Sequence, residues 1–260
     1  MFATSRRTFA TTIAVLFAAS TALTIKCCNS MSAMHEMPMP GGWSMSMMWM
    51  RMPGQTWPDV ITTFLGMWLV MMVAMMLPAL APMLWRYRRA IAVTSPWRLD
   101  ALTTFVGAAY FFVWTLVGAT AFLLGAILTS LEMQLPSFSR AVPLTIGATV
   151  LAAGLLQFSA WKAHHLACCR SMPDCCDALR VNVRSAWRHG LRLGLHCVHC
   201  CFGLTMLLLV VGVMDLRAMA LVTAAITVER LAPARLHFAR CVGAVLIAAG
   251  SFLLAHATLG

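Results

Sequence analysis

Residues 59–84 read DVITTFLGMWLVMMVAMMLPALAPML, and this stretch decides the fold. Its one charge is Asp59 at the start, and the apolar positions follow one another without the alternation of a half-buried strand. A continuous apolar run of this length exceeds the roughly 20 residues that a helix needs to cross the hydrocarbon core of a bilayer. Further apolar runs occur at 8–25, 101–128, 141–160, 195–214, 216–229 and 240–258. The strands of a membrane barrel would alternate apolar and polar residues, and these runs do not. The chain is 61% hydrophobic and 10% charged with a mean hydropathy of +0.82, far from the composition of a soluble domain. The expected fold is all-α, a polytopic transmembrane helical bundle of about seven spans.

The ends of that series need argument. Leu216–Val228 is short for a span, but the polar break at Met214-Asp215 and the arginines after Glu229 favour a hairpin over one long helix. Ser5-Arg6-Arg7-Thr8-Phe9 resembles a twin-arginine export signal, with Ala18-Ala19-Ser20 as a passable cleavage site. Cleavage would leave six spans; an uncleaved anchor is the favoured reading, because such signals rarely lead polytopic chains.

A net charge of +11 invites a nucleic-acid reading, but its distribution excludes one. With the N-terminus in the cytoplasm, fifteen basic residues fall inside, among them Arg86, Arg88, Arg89, Lys162, Arg184 and Arg230. Only Lys26, Arg51, Arg140 and Arg217 fall outside. This is the positive-inside bias of helical membrane proteins. The expected location is a bacterial inner membrane, with the C-terminus periplasmic and the lipid bilayer as the principal partner.

Sulfur is unevenly spread. The chain holds ten cysteines and twenty-one methionines. Residues 1–25 read as the anchor or signal segment, and 58–260 as the helical membrane domain with a cytoplasmic Cys/His loop at 161–195. Between them, 26–57 is an extracytoplasmic Met-rich segment with no helical or strand period, read as a flexible linker. Nine methionines lie between Met31 and Met52. Met34, His35 and Met37 there offer soft ligands at one- and two-residue intervals, and thioethers in a polar, Pro-containing loop have no core to fill. The alternative is an interfacial loop anchored by Trp43, Trp49 and Trp57. Inside the second run Met67, Met71 and Met75 recur every four residues beside Met72 and Met76, a single stripe on a helix. Packing and a metal path both fit that stripe.

The sharpest chemistry lies later. His196-Cys197-Val198-His199-Cys200-Cys201 puts three thiols on one helical arc, given a span that begins near 195. The segment before it holds His164, His165, Cys168, Cys169, Cys175 and Cys176, enough to complete a site of three or four ligands. Structural disulfides are disfavoured on a reducing cytoplasmic face. Candidate metal ligands are therefore Cys197, Cys200, Cys201, His199, Cys169, Cys168 and His165, with Met71, Met75 and Met76 at depth and Met34, His35 and Met37 outside. Cys241 and His256 read as isolated packing residues. Glu229 and Asp215 read as solvated boundary residues paired with Arg230 and Arg217.

Several ordered pieces resemble a known family. They are Gly66-Met67-Trp68 through Met71-Met72 and Met75-Met76 to Pro78; Gln157 through Lys162; Cys169-Arg170; Gly194 through Cys197 to Cys200-Cys201; and Gly212 to Met214 with Glu229-Arg230. Over about 59–255 the chain resembles the bacterial family of predicted metal-binding integral membrane proteins, some of whose members are called copper chaperones. In that family's pattern a Cys follows the Lys by three, a Gly precedes the final Cys pair, and Glu-Lys stands near the end. Here His165, His199 and Arg230 hold those places. The resemblance implies metal binding and supplies no reaction.

Soft ligands ordered along a membrane path select Cu(I) first, with zinc as the alternative metal. The expected function is capture, transfer or insertion of copper through the Met-rich and Cys/His sites, with a copper-accepting protein or membrane enzyme as partner. Competing readings are a membrane thiol–disulfide oxidoreductase, and a copper-dependent membrane oxygenase or its assembly subunit. No phosphate loop, nucleophile–base pair or nicotinamide fingerprint occurs in the sequence, and the balance leans away from an enzyme.

Overall fold

The computed structural model describes residues 2–32, 37–39, 43–45, 49, 51, 54–91, 95–171, 182–213, 215–232 and 238–259. In chain order they form α1 (Phe2–Ser32), β1 (Met37–Met39), β2 (Trp43–Met45), α2 (Trp57–Ala90), α3 (Pro96–Gln134), α4 (Pro136–Leu156), α5 (Ala160–Ser171), α6 (Val183–Val211), α7 (Leu216–Leu231) and α8 (Phe238–Leu259). The two short strands pair antiparallel with Met37 opposite Met45, so part of the segment expected to lack a pattern is a hairpin. Cys27 and Cys28 lie on α1, which runs on to Ser32.

The apolar runs of the sequence lie on helices, with a break at 157–159 and an end at Gly212. Five helices, α1, α2, α3, α6 and α8, are long and apolar enough to cross a membrane. A bent pair drawn from α4 and α5 (Ala141–Leu156 and Ala160–Cys169), turned by 64°, makes a sixth candidate. The run at 216–229 becomes a separate helix, but α7 has only 16 residues. At ~1.5 Å per residue that is about 24 Å, short of a ~30 Å hydrocarbon core. Gly212, at φ +131°, ends α6 in a conformation that favours glycine, and the Asp215 carboxylate then accepts the Arg217 and Ala218 amides to start α7.

Two boundaries differ from the sequence reading because charged residues sit on helices rather than in loops. α6 starts at Val183, capped by the Asn182 side chain accepting from the Ser185 amide, and not near 195. Arg184, Arg188 and Arg192 project outward at four-residue intervals, while Ala186, His189, Gly190, Leu193 and Gly194 face inward. This amphipathic start carries the helix well beyond the apolar run. Residues 161–171 of the expected Cys/His loop likewise lie on the helix α5.

Close packing at small residues brings the helices of the bundle together. A Cβ on Gly190 would lie 2.4 Å from the Val106 carbonyl oxygen, and one on Gly194 would lie 3.2 Å from that of Tyr110, so α3 and α6 lie backbone to backbone. Gly118 makes room for the Trp68 ring, whose Nε1 donates to the Trp114 carbonyl at 2.9 Å. Trp49 packs on Phe64 and over Gly125, tethering the Met-rich segment to α2 and α3.

Candidate metal centre

The inward stripe of α6 carries Cys197, Cys200 and Cys201 at helical spacing, as the sequence predicts. Because α6 starts early, they occupy the middle of a 29-residue helix rather than its end, and all three are buried. Their sulfurs lie within 4.8 Å of one another, the one group of three or more such ligands among the described residues. Cys200 Sγ is 3.5 Å from Cys201 Sγ, and Cys197 Sγ is 3.9 Å from Cys201 Sγ. From α5, Cys169 joins them with its sulfur 3.6 Å from that of Cys200, and it too is fully buried. The described cysteines are all free thiols.

Two groups that the sequence reading did not place at this site close the cage. The Tyr110 hydroxyl, brought in by the tight α3–α6 packing, is 3.0 Å from Cys197 Sγ. Arg230 donates from one terminal nitrogen to Cys197 Sγ and from the other to Met83 Sδ, both at 3.1 Å. Arg230 is only 3% exposed, and its Nε has no hydrogen-bond partner among the described residues. The neighbouring carboxylate is engaged elsewhere: Glu229, also 3% exposed, accepts from Lys162 Nζ at 2.7 Å, and Lys162 donates to Gln157 as well. The expectation of a solvated Glu229–Arg230 pair is therefore corrected. Both sit inside the bundle with different partners, since α7 packs against α2 and α6 and carries its last turn inward. The one hint in the sequence is that a glutamate and an arginine close an apolar run shorter than a span.

The remaining candidates fall in four places. His165, His199 and Cys168 are beside the cage but outside it, half-buried with His196 and next to the exposed His164 and Trp161. Met71, Met75 and Met76 are buried in the core with Trp68 and Leu80, and the α2 sulfur that meets the cage's guanidinium is Met83, two turns further on. Met37 lies in β1, while Met34, His35, Cys175 and Cys176 fall outside the described residues. Cys241 and His256 are exposed on α8, so they do not pack inward.

The donor set fits a thiophilic ion. Metal–sulfur bonds of ~2.3 Å in a tetrahedron set neighbouring sulfurs about 3.8 Å apart, and three of the sulfur pairs here lie 3.5, 3.6 and 3.9 Å apart. Two thiolates around Cu(I) carry one net negative charge, and a buried guanidinium with no carboxylate of its own is the complement to it. Thiolates and a thioether are ligands for Cu(I), with zinc also suited to the thiolates.

A bundle of long apolar helices closed around a nest of thiols defines a helical protein equipped to hold a soft metal ion deep among its spans. The family model described as PpoB2, copper chaperone, matches residues 65–253, and the chain belongs to that family. No curated protein and no solved structure matches it.

Proposed function

We propose that this chain handles Cu(I) in a bacterial inner membrane, accepting the ion in the cage of Cys169, Cys197, Cys200 and Cys201 and passing it to a copper-accepting protein or membrane enzyme. The observation that carries the reading is the meeting of four buried thiols with the lone guanidinium of Arg230. Thiolates of the cage bind the ion, Arg230 balances the charge of the complex, and Tyr110 holds Cys197 in place by its hydroxyl. The Met-rich segment at 26–57 captures copper on the periplasmic side, and neutral thioethers hold it more weakly than thiolates do, which gives the ion a direction inward.

Metal content of the full chain purified in detergent under anaerobic conditions tests the proposal. Stoichiometric copper is expected in the wild type and in Cys241→Ser, and its loss in Cys200→Ser and Cys201→Ser, because a protonated hydroxyl is a poor Cu(I) ligand. Metal-free wild-type protein with a titratable disulfide would overturn it in favour of thiol–disulfide exchange.

A further inference from the structure

The histidines beside the cage are themselves arranged as a site. His165 Nδ1 and His196 Nδ1 are 3.3 Å apart, joining α5 to α6. Cys169 and Cys200 join the same two helices at 3.6 Å. Both pairs are separated by 31 residues in sequence. The imidazole pair therefore lies one turn before the thiol pair on each helix. At ~1.5 Å rise per residue, four residues set the two pairs about 6 Å apart along the helices.

The surroundings of the pair are those of a ligand site. Metal–nitrogen bonds of ~2.05 Å at a tetrahedral angle set two nitrogens about 3.3 Å apart, the separation seen between His165 and His196. His199 stacks on His165 with ring centroids 4.7 Å apart and planes 16° from parallel. Its own Nδ1 bonds to the Leu195 carbonyl at 2.6 Å, which fixes its tautomer and leaves Nε2 as its free nitrogen. Trp161 packs edge-on against both His165 and His199 and walls the group. Cys168 Sγ, 3.7 Å from His164 Nε2, adds a second soft and borderline pair on the same helix. His165, His196 and His199 are half-buried and His164 is exposed, whereas every thiol of the cage is buried.

We propose that His165 and His196 form a second metal site, an imidazole port one helical turn from the thiol cage, through which Cu(I) exchanges with the cage. In the metal-free chain one Nδ1–H donates to the other Nδ1. Moving that proton to Nε2 of the same ring frees both Nδ1 lone pairs for the ion, with no net proton released. Two neutral nitrogens hold Cu(I) less firmly than thiolates, so an ion at the port is in transit and an ion in the cage is retained. The site of binding stands independently of the cage, whereas its role in exchange rests on the copper reading above.

The test is anaerobic Cu(I) titration of the full chain in detergent, read by chelator competition and by X-ray absorption at the copper edge. In the wild type the first equivalent is expected to show sulfur neighbours, and a weaker second equivalent nitrogen neighbours at ~2.0 Å. His165→Ala/His196→Ala loses the second equivalent, keeps the first, and fills the cage more slowly; His165→Gln/His196→Gln does the same with the side-chain volume kept. Cys200→Ser/Cys201→Ser shows the reverse, losing the sulfur-bound ion and retaining the nitrogen-bound one. Nitrogen-bound copper in a wild type that shows no sulfur-bound copper at any equivalent would sink the cage and leave the port standing. Sulfur neighbours alone at every equivalent of the wild type would overturn the port, as would an unchanged second equivalent and loading rate in both histidine double variants.

Discussion

Replacing Arg230 with methionine separates the charge of the site from its ligands. The guanidinium stands 3.1 Å from Cys197 Sγ. Unit charges at that distance attract by about 5 kcal/mol at an effective dielectric constant of ~20. Removing one partner of a buried, hydrogen-bonded charge pair costs about 2–5 kcal/mol, which raises the Kd for Cu(I) between about thirtyfold and several thousandfold. The metal-free protein responds in the opposite sense. Without metal, Arg230 is a buried cation whose adjacent carboxylate is committed to Lys162, so Arg230→Met raises the metal-free melting temperature or leaves it unchanged. Arg230→Lys keeps the charge but loses the fork that reaches Cys197 and Met83 together, and its affinity falls between the two. Competition with a Cu(I)-specific chelator gives the affinities, and thermal unfolding in detergent gives the stabilities. A folded Arg230→Met protein binding Cu(I) within threefold of the wild type would refute charge balance as the role of this residue.

Lys162→Met removes the cation that Glu229 bonds inside the bundle and is expected to cost about 3–5 kcal/mol; adding Glu229→Gln should restore most of the lost melting temperature. Gly190→Ala places a methyl 2.4 Å from the Val106 carbonyl and pushes α3 from α6, lowering stability by about 1–3 kcal/mol in thermal melts. It also weakens Cu(I) binding, because Tyr110 retreats from Cys197. Changing Met45, Met47, Met48, Met50 and Met52 together to Leu keeps apolar bulk and removes the sulfurs; cells should then lose copper-linked growth only when external copper is scarce. A reporter placed within 40–42 should read as periplasmic and one within 172–181 as cytoplasmic, and both reporting one side would refute the orientation.

What the sequence discloses and what it hides divide along a physical line. Long apolar runs declare helices because a helix satisfies its backbone groups within the segment, and all seven runs lie for most of their length on helices. Cys197, Cys200 and Cys201 declare a common face because three and four residues make a helical turn. The approach of Cys169 to Cys200 has no such local signature, since it depends on how α5 packs on α6. Lys162, Glu229 and Arg230 were hidden for another reason. Charge at the edge of an apolar run reads as the water boundary, and only packing reveals that these three turn inward and satisfy one another or the thiols. Arg184, Arg188 and Arg192 misled in the same way, masking the first turns of α6. Met71, Met75 and Met76 show the limit of a stripe: its spacing gives a face, and the partners of that face are core side chains.

The cage also has a birth order. Its groups come from α3, α5, α6 and α7, so Tyr110 leaves the ribosome first, the four cysteines follow, and Arg230 emerges 29 positions after Cys201. At roughly 5–20 residues per second this interval lasts on the order of a few seconds. Throughout it the nascent thiols have neither their guanidinium nor the shelter of α7, and are open to oxidation or to whichever metal arrives. A chain arrested before residue 229 would expose the same sulfurs permanently. Selective loading therefore belongs to the finished protein, and insertion of the last two helices is the step that turns a reactive run of cysteines into a guarded one.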